Sequence, residues 1–185
     1  MTDTIKIVAF TGSLRRGSFN KSALRAAQKL APEGASVEIV DLALLPFFNE
    51  DLEAEGVPEV VEEFLAKIAA ADALLICTPE YNYSIPPVLK NALDWASRGS
   101  VTPVNDKPLA IMSASPGMLG GARVQYHLRQ VCVALNLKVL NRPEVFIAKA
   151  NTKFDEMGNL TDEYTQKAII RLLQALIDWT KKLKA

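Results

Sequence analysis

Two arginines, two serines and an asparagine fall within one short stretch near the N-terminus, Gly12-Ser13-Leu14-Arg15-Arg16-Gly17-Ser18-Phe19-Asn20. The stretch holds no acid. Short hydroxyls, an amide and guanidinium donors, beside backbone N–H groups that open a helix, are the chemistry of a phosphate cradle. Read without a ligand, it is an ordinary strand-to-helix turn with Ser18 as N-cap. That reading leaves both arginines and Ser13 without a purpose.

Two familiar phosphate loops do not fit. Gly12 and Gly17 have the spacing of a P-loop, but Ser18 and Phe19 stand where that motif needs Lys and Ser or Thr. The dinucleotide fingerprint G-x-G-x-x-G is absent here. Nucleoside triphosphate chemistry is therefore not expected. What remains suits a terminal phosphate monoester, such as the one FMN carries.

Other reactive side chains are sparse. His127, the only histidine, sits between Tyr126 and Leu128 and reads as structural. Cys77 ends an apolar run and Cys132 falls on the apolar face of a helix. Both read as buried hydrophobes, and they have no metal-ligand spacing. No nucleophile, base and orienting group come together. Neither a catalytic side chain nor a metal site is expected.

These residues need a frame, and the hydrophobic pattern supplies one. A buried strand over Ile5–Phe10 leads into the loop, and a helix follows over residues 21–30. Residues 36–41 alternate as an edge strand, and residues 44–49 form a loop unusually rich in apolar side chains. Its aromatics read either as a contact surface or as part of their own core. Residues 50–56 are acidic surface, and residues 58–71 read as a helix with Pro58 in its first turn.

A buried strand over residues 73–77 precedes Pro79-Glu80-Tyr81-Asn82-Tyr83-Ser84-Ile85-Pro86-Pro87 and a helix at Pro87–Ala96. After a loop at residues 99–106 comes a strand over residues 109–113. The second glycine-rich loop, Ser115-Pro116-Gly117-Met118-Leu119-Gly120-Gly121, then opens a helix over residues 123–135. A fifth strand is expected over residues 138–147. Thr161 is expected to cap a last helix whose inner face is Tyr164, Ala168, Leu172, Leu176, Trp179 and Leu183.

Strands that alternate with helices make a parallel, doubly wound sheet, in order 2-1-3-4-5. The loops after strands one, three and four then converge on one crevice beyond the carboxyl ends of the strands.

At 185 residues the chain, 1–185, is expected to be a single domain. Lys+Arg and Asp+Glu are 21 each, so no nucleic-acid partner is expected, and an acidic electron carrier is disfavoured. No apolar run approaches ~18 residues, so no membrane partner is expected. The N-terminus carries no signal-peptide pattern, which points to a cytoplasmic protein.

With the three loops in view, the chain resembles the NADPH-dependent FMN reductases of flavodoxin-like fold, and among them the bacterial quinone and chromate reductases. The resemblance rests on Gly12-Ser13-Leu14-Arg15 with Ser18 and Asn20, on Thr78-Pro79-Glu80-Tyr81-Asn82 with Pro86-Pro87, on Lys90-Asn91-Ala92-Leu93-Asp94-Trp95, and on Gly120-Gly121-Ala122-Arg123 leading to Tyr126-His127-Leu128-Arg129-Gln130. It covers nearly the whole chain.

The resemblance implies a three-layer α/β sandwich on a five-stranded parallel sheet, with FMN, and NADPH or NADH as the electron source. It implies that Ser13, Leu14, Arg15, Ser18, Phe19 and Asn20 surround the phosphate end. Pro79, Glu80, Tyr81 and Asn82 then line the ring and ribityl chain, and Ser115 and Gly117 close the far edge. The implied activity is two-electron, ping-pong reduction of a small-molecule acceptor: a quinone, or chromate. The competing reading is a flavodoxin-type electron-transfer protein. A homodimer or homotetramer is implied, with Tyr83, Arg98, Arg123, Tyr126 and Glu144 as candidate contacts between subunits.

Overall fold

In a computed structural model, residues 4–99 and 102–184 are described. The readings that touch residues 1–3 and 100–101 lie outside them. The first four strands, β1 (Ile5–Phe10), β2 (Ala35–Ile39), β3 (Ala73–Thr78) and β4 (Pro108–Ala114), pair in parallel in the order β2-β1-β3-β4. Every residue of β3 and β4 is buried, which is why these strands are apolar runs without alternation: helices cover both faces.

The expected fifth strand is two pieces. β5 (Lys138–Val139) pairs with Pro108 and Leu109, and β6 (Val145–Ile147) pairs with Met112 to Ala114. Pro143 lies between them and has no N–H to give a continuous ladder.

Six α-helices are present among the described residues: α1 (Phe19–Lys29), α2 (Glu50–Glu55), α3 (Glu59–Ala70), α4 (Pro87–Ala96), α5 (Ala122–Ala134) and α6 (Glu163–Lys184). Among the described residues no helix is long and apolar enough to cross a membrane. Successive β1 side chains point to opposite faces. Ile7 and Ala9 join Leu24 of α1 and Leu172 and Leu176 of α6 in one core. Val8 and Phe10 join Phe64 of α3, Leu93 of α4 and Leu128 of α5 in the other. These are the three layers of the expected sandwich, with β6 as an addition.

Three local readings change. Residues 50–55 stay at the surface but are helical: the Asn49 side chain accepts from the Asp51 N–H at 2.9 Å, and acids fill the first turn. The last helix is capped by Asp162, not Thr161: Asp162 Oδ2 accepts from the Thr165 N–H at 2.8 Å, while Thr161 Oγ1 donates to the Lys153 carbonyl. Its buried face is Thr165, Ile169, Leu172, Leu173, Leu176, Ile177 and Thr180. Tyr164 and Leu183 are exposed, so the true stripe is rotated from the expected one.

The apolar loop divides between its two readings. Phe48 packs edge-on against Trp95, with ring centres 5.0 Å apart, and its N–H donates to Asn91 Oδ1. Leu44 and Phe47 stay exposed. Cys77 and Cys132 are buried free thiols, and burial pushes both up, Cys132 to about 12, so neither is a ready nucleophile.

Candidate functional site

The loops after β1, β3 and β4 meet because those strands are neighbours. They enclose a crevice of about 170 Å³. Nine of the expected residues line it: Ser13, Arg15, Ser18, Phe19, Asn20, Pro79, Glu80, Tyr81 and Ser115. Leu14, Asn82 and Gly117 do not, and Ala114 and Pro116 line it without having been anticipated. The volume is below the roughly 300–1,000 Å³ of pockets that engulf a drug-sized ligand. A mononucleotide held here keeps one side open. A larger hollow of about 240 Å³ between α1 and residues 158–160 lacks the convergence of three strand ends.

The first loop has donors to spare. Ser18 caps α1, its Oγ accepting from the Lys21 N–H at 3.3 Å. Ser13 is buried, and among the described residues its hydroxyl has no protein partner. Nor do the backbone N–H groups of Leu14, Arg15, Arg16, Gly17 and Ser18 reach a protein acceptor. Arg15 is exposed, meets no carboxylate among the described residues, and lies 5.7 Å from the centre of the Phe19 ring. Spare amides at a helix N-terminus, hydroxyls and an uncommitted guanidinium fit a phosphate group. Gly12 lets this loop approach the next: a Cβ there would stand 2.8 Å from Leu89 Cβ in α4.

Asn20 also lines the crevice, but its amide is committed elsewhere. Its Nδ2 donates to the Ala114 carbonyl and its Oδ1 accepts from the Ala114 N–H, each at 2.9 Å. It ties the start of α1 to the end of β4.

The second loop is a tight two-residue turn. Tyr81 and Ser84 exchange backbone hydrogen bonds of 3.0 and 2.9 Å, and Asn82 and Tyr83 between them have φ of 48° and 69°. Two left-handed residues in succession define a type I′ turn, for which asparagine is suited at the first position. Glu80 does not point its carboxylate freely into the crevice. It accepts from Arg123 Nε at 2.6 Å and from the Val124 N–H at 3.3 Å, at the N-terminus of α5.

The third loop is pinned by backbone bonds. Ser115 and Ile147 are joined N–H to carbonyl at 3.0 Å, and Ser115 Oγ accepts from the Gly117 N–H at 3.1 Å. Gly120 has a φ of 59°, and a Cβ there would lie 2.8 Å from the Ala148 nitrogen, so no larger residue fits. Behind it, the buried Gln125 amide donates to Ser113 Oγ and to the Val145 carbonyl.

The five candidate subunit contacts are engaged within one chain. Arg98 pairs with Glu53 at 2.7 Å, Arg123 pairs with Glu80 and stacks on Tyr83, and Tyr126 donates to Glu144 at 3.3 Å. His127 is exposed and lies 3.2 Å from Ser84 Oγ through its Nδ1, which makes it a surface tether rather than a core residue.

Comparison with known proteins agrees with this geometry. The family described as NADPH-dependent FMN reductase matches residues 5–152. The chain is 50% identical over 184 residues to an NAD(P)H-dependent FMN reductase of Pseudomonas aeruginosa, with all of both chains covered. It is 47% identical to an NAD(P)H:quinone oxidoreductase of Solanum tuberosum, covering 97% of this chain and 95% of that one. A solved flavoenzyme of Paracoccus denitrificans, described as an NAD(P)H:(acceptor) oxidoreductase, superposes with a TM-score of 0.88 at 34% identity, over 96% of this chain and 98% of that one.

Proposed function

The chain belongs to the NADPH-dependent FMN reductase family, and from that premise we propose that it oxidises NAD(P)H and reduces a quinone or a similarly small acceptor through FMN held in the crevice beyond β1, β3 and β4. Bound there, FMN would supply the electron chemistry, two-electron transfer from NAD(P)H to a quinone that takes up two protons overall to become hydroquinone. The protein supplies binding, orientation and charge.

The observation that carries the reading is the set of spare donors at one end of the crevice. Arg15, the Ser13 and Ser18 hydroxyls and the free backbone N–H groups between them hold the phosphate. Phe19 and Asn20 build the floor at that end, and Leu14, half exposed, forms its rim. Pro79, Glu80 and Tyr81 would form the wall along the ring, and Asn82, outside the crevice lining, belongs to the turn that follows them. Ser115 would form the far edge, its Oγ held by the N–H of Gly117, which lies outside the crevice lining. The shallow crevice leaves one ring face open to the nicotinamide and then to the acceptor. Relatives named as quinone oxidoreductases and FMN reductases support the acceptor class; chromate belongs to the acceptors to be assayed.

The reading includes a cytoplasmic enzyme and a homodimer or homotetramer. Met118, Leu119, Tyr83 and Tyr126 are exposed, and apolar surface of that kind favours cover by a second copy.

The test is a titration of the apoprotein with FMN and with riboflavin, followed by NADPH or NADH under anaerobic conditions. FMN is expected to bind far more tightly than riboflavin, and its visible absorption to bleach when the nicotinamide is added. Equal affinities for the two flavins would sink the phosphate assignment.

A further inference from the structure

Among the described residues that line the crevice, Glu80 is the one acid and Arg15 the one base. The Glu80 side chain is only 9% exposed. An unpaired carboxylate in that position would be costly. It is not unpaired: Arg123 donates to it through Nε at 2.6 Å and also through Nη2, and the Val124 N–H adds a third donor at the positive end of α5.

Arg123 is itself held. Its guanidinium carbon lies 3.6 Å from the centre of the Tyr83 ring, a cation–π stack. Tyr83 is presented there by the left-handed turn at Asn82 and Tyr83. The next residue, Ser84, meets His127 of α5 at 3.2 Å. The whole wall from Glu80 to Ser84 is thus buttoned to the first turns of α5.

Two-electron reduction leaves an isoalloxazine ring system with more negative charge than it had when oxidised. A bare carboxylate in the wall opposes that charge; a neutralised one does not. We propose that Arg123 is a positioning residue that acts through Glu80: by cancelling the crevice's one carboxylate it favours the reduced state of the bound cofactor. The inference rests on the FMN site proposed above.

The charge of the pair can be changed in both directions. Relative to wild type, R123M leaves the wall one unit more negative, E80Q leaves it one unit more positive, and E80Q/R123M returns it to neutral. The experiment is an anaerobic redox titration of each FMN-loaded protein, with the affinity for FMN measured alongside. R123M is expected to weaken reduced FMN about tenfold relative to oxidised FMN, a fall of about 30 mV in the two-electron potential. E80Q is expected to shift the potential the opposite way, and the double variant to sit near wild type.

A role in packing alone would not give opposite signs for the two single variants. If R123M does not fold, E80Q and the double variant still carry the test, since only the first should rise. R123M or E80Q at the wild-type potential would overturn the inference, as would a double variant displaced from wild type. Wild type that fails to bind FMN would overturn the functional reading and this inference together. FMN binding with unmoved potentials would overturn this inference alone.

Discussion

Asn20 and Ala114 exchange two hydrogen bonds of 2.9 Å, amide against peptide, at a point where both residues are buried. Asn20 is the second residue of α1 and Ala114 the last of β4. The contact therefore fixes the N-terminal end of α1, which lines the crevice, against the loop that carries Ser115. Cys77 Sγ adds a weaker donor to the same oxygen at 3.3 Å.

Asn20→Ala strands a buried N–H and a buried carbonyl at once. Each unsatisfied group costs about 1–3 kcal/mol, so the variant should lose roughly 2–6 kcal/mol of stability and bind FMN less tightly. Urea unfolding measures the first and flavin titration the second. A midpoint equal to wild type would show that the clamp does not matter.

Arg15 has no ion pair among the described residues, and its loss leaves no carboxylate behind. Arg15→Ala should therefore leave thermal stability nearly unchanged. It should weaken FMN by about 1.5–3 kcal/mol, the worth of a charge-assisted hydrogen bond. Riboflavin affinity should barely move. A parallel loss for both flavins would assign Arg15 to the ring rather than to the phosphate.

The parts of this fold that were legible in the sequence are those where period and composition agree. The apolar runs of β3 and β4 and the Gly, Ser and Arg loop after β1 need no distant partner to be read, and topology then brings their ends together. The position of the Glu80 carboxylate was not legible. Glu80 is adjacent to Pro79 in the chain, but its partner Arg123 is 43 residues away, and nothing local to either residue announces the pairing. Asn20 lines the crevice and its amide bonds the Ala114 peptide, a contact not legible in the sequence, because an asparagine beside a phosphate loop and one that clamps a strand look alike there. Asp162 and Asn49 carry ordinary N-cap signals, and Thr161 beside Asp162 carries an equally suitable side chain, so the sequence alone does not separate the two.

Asp162 gives the fold a measurable acid dependence. Its carboxyl is held below the usual range by the Thr165 hydroxyl and N–H, against a small opposing effect of burial, and with help from Lys153. The folded pKa is lower than the unfolded one. Its contribution is therefore complete above the unfolded value, about 3.9, and fades as pH falls through the lower folded value. Asp162→Ala should cost about 1 kcal/mol near neutral pH, as for other lost N-caps. Denaturation midpoints of wild type and variant should converge as pH drops below about 4. A gap that persists in acid would exclude the ionised cap as its source.

The proposed assembly makes a separate prediction. Leu119 and Tyr126 are both more than half exposed, and a second copy would cover them. Light scattering at micromolar concentration should give at least twice the chain mass of 20.2 kDa. A charged substitution, Leu119→Glu, should shift that mass toward the monomer. A wild-type mass of one chain would end the proposal.

The shallow crevice dictates the kinetic order. At about 170 Å³ it is too small to enclose the proposed FMN, which would keep one open face, and Tyr81 is exposed at its edge. Nicotinamide and quinone are both planar and both need that face, so the first must leave before the second can bind. Proton handling imposes no further order, because Glu80, the one acid among the described lining residues, is occupied by Arg123. Initial rates at several fixed quinone concentrations should therefore give parallel double-reciprocal lines against NADPH, with competitive inhibition when quinone is in excess. Tyr81→Phe should lower the rate modestly, since it alters the rim without removing a proton donor the reaction depends on. Lines that intersect to the left of the axis, without inhibition by excess quinone, would mean that both partners bind together, and would require a second site that the crevice does not provide.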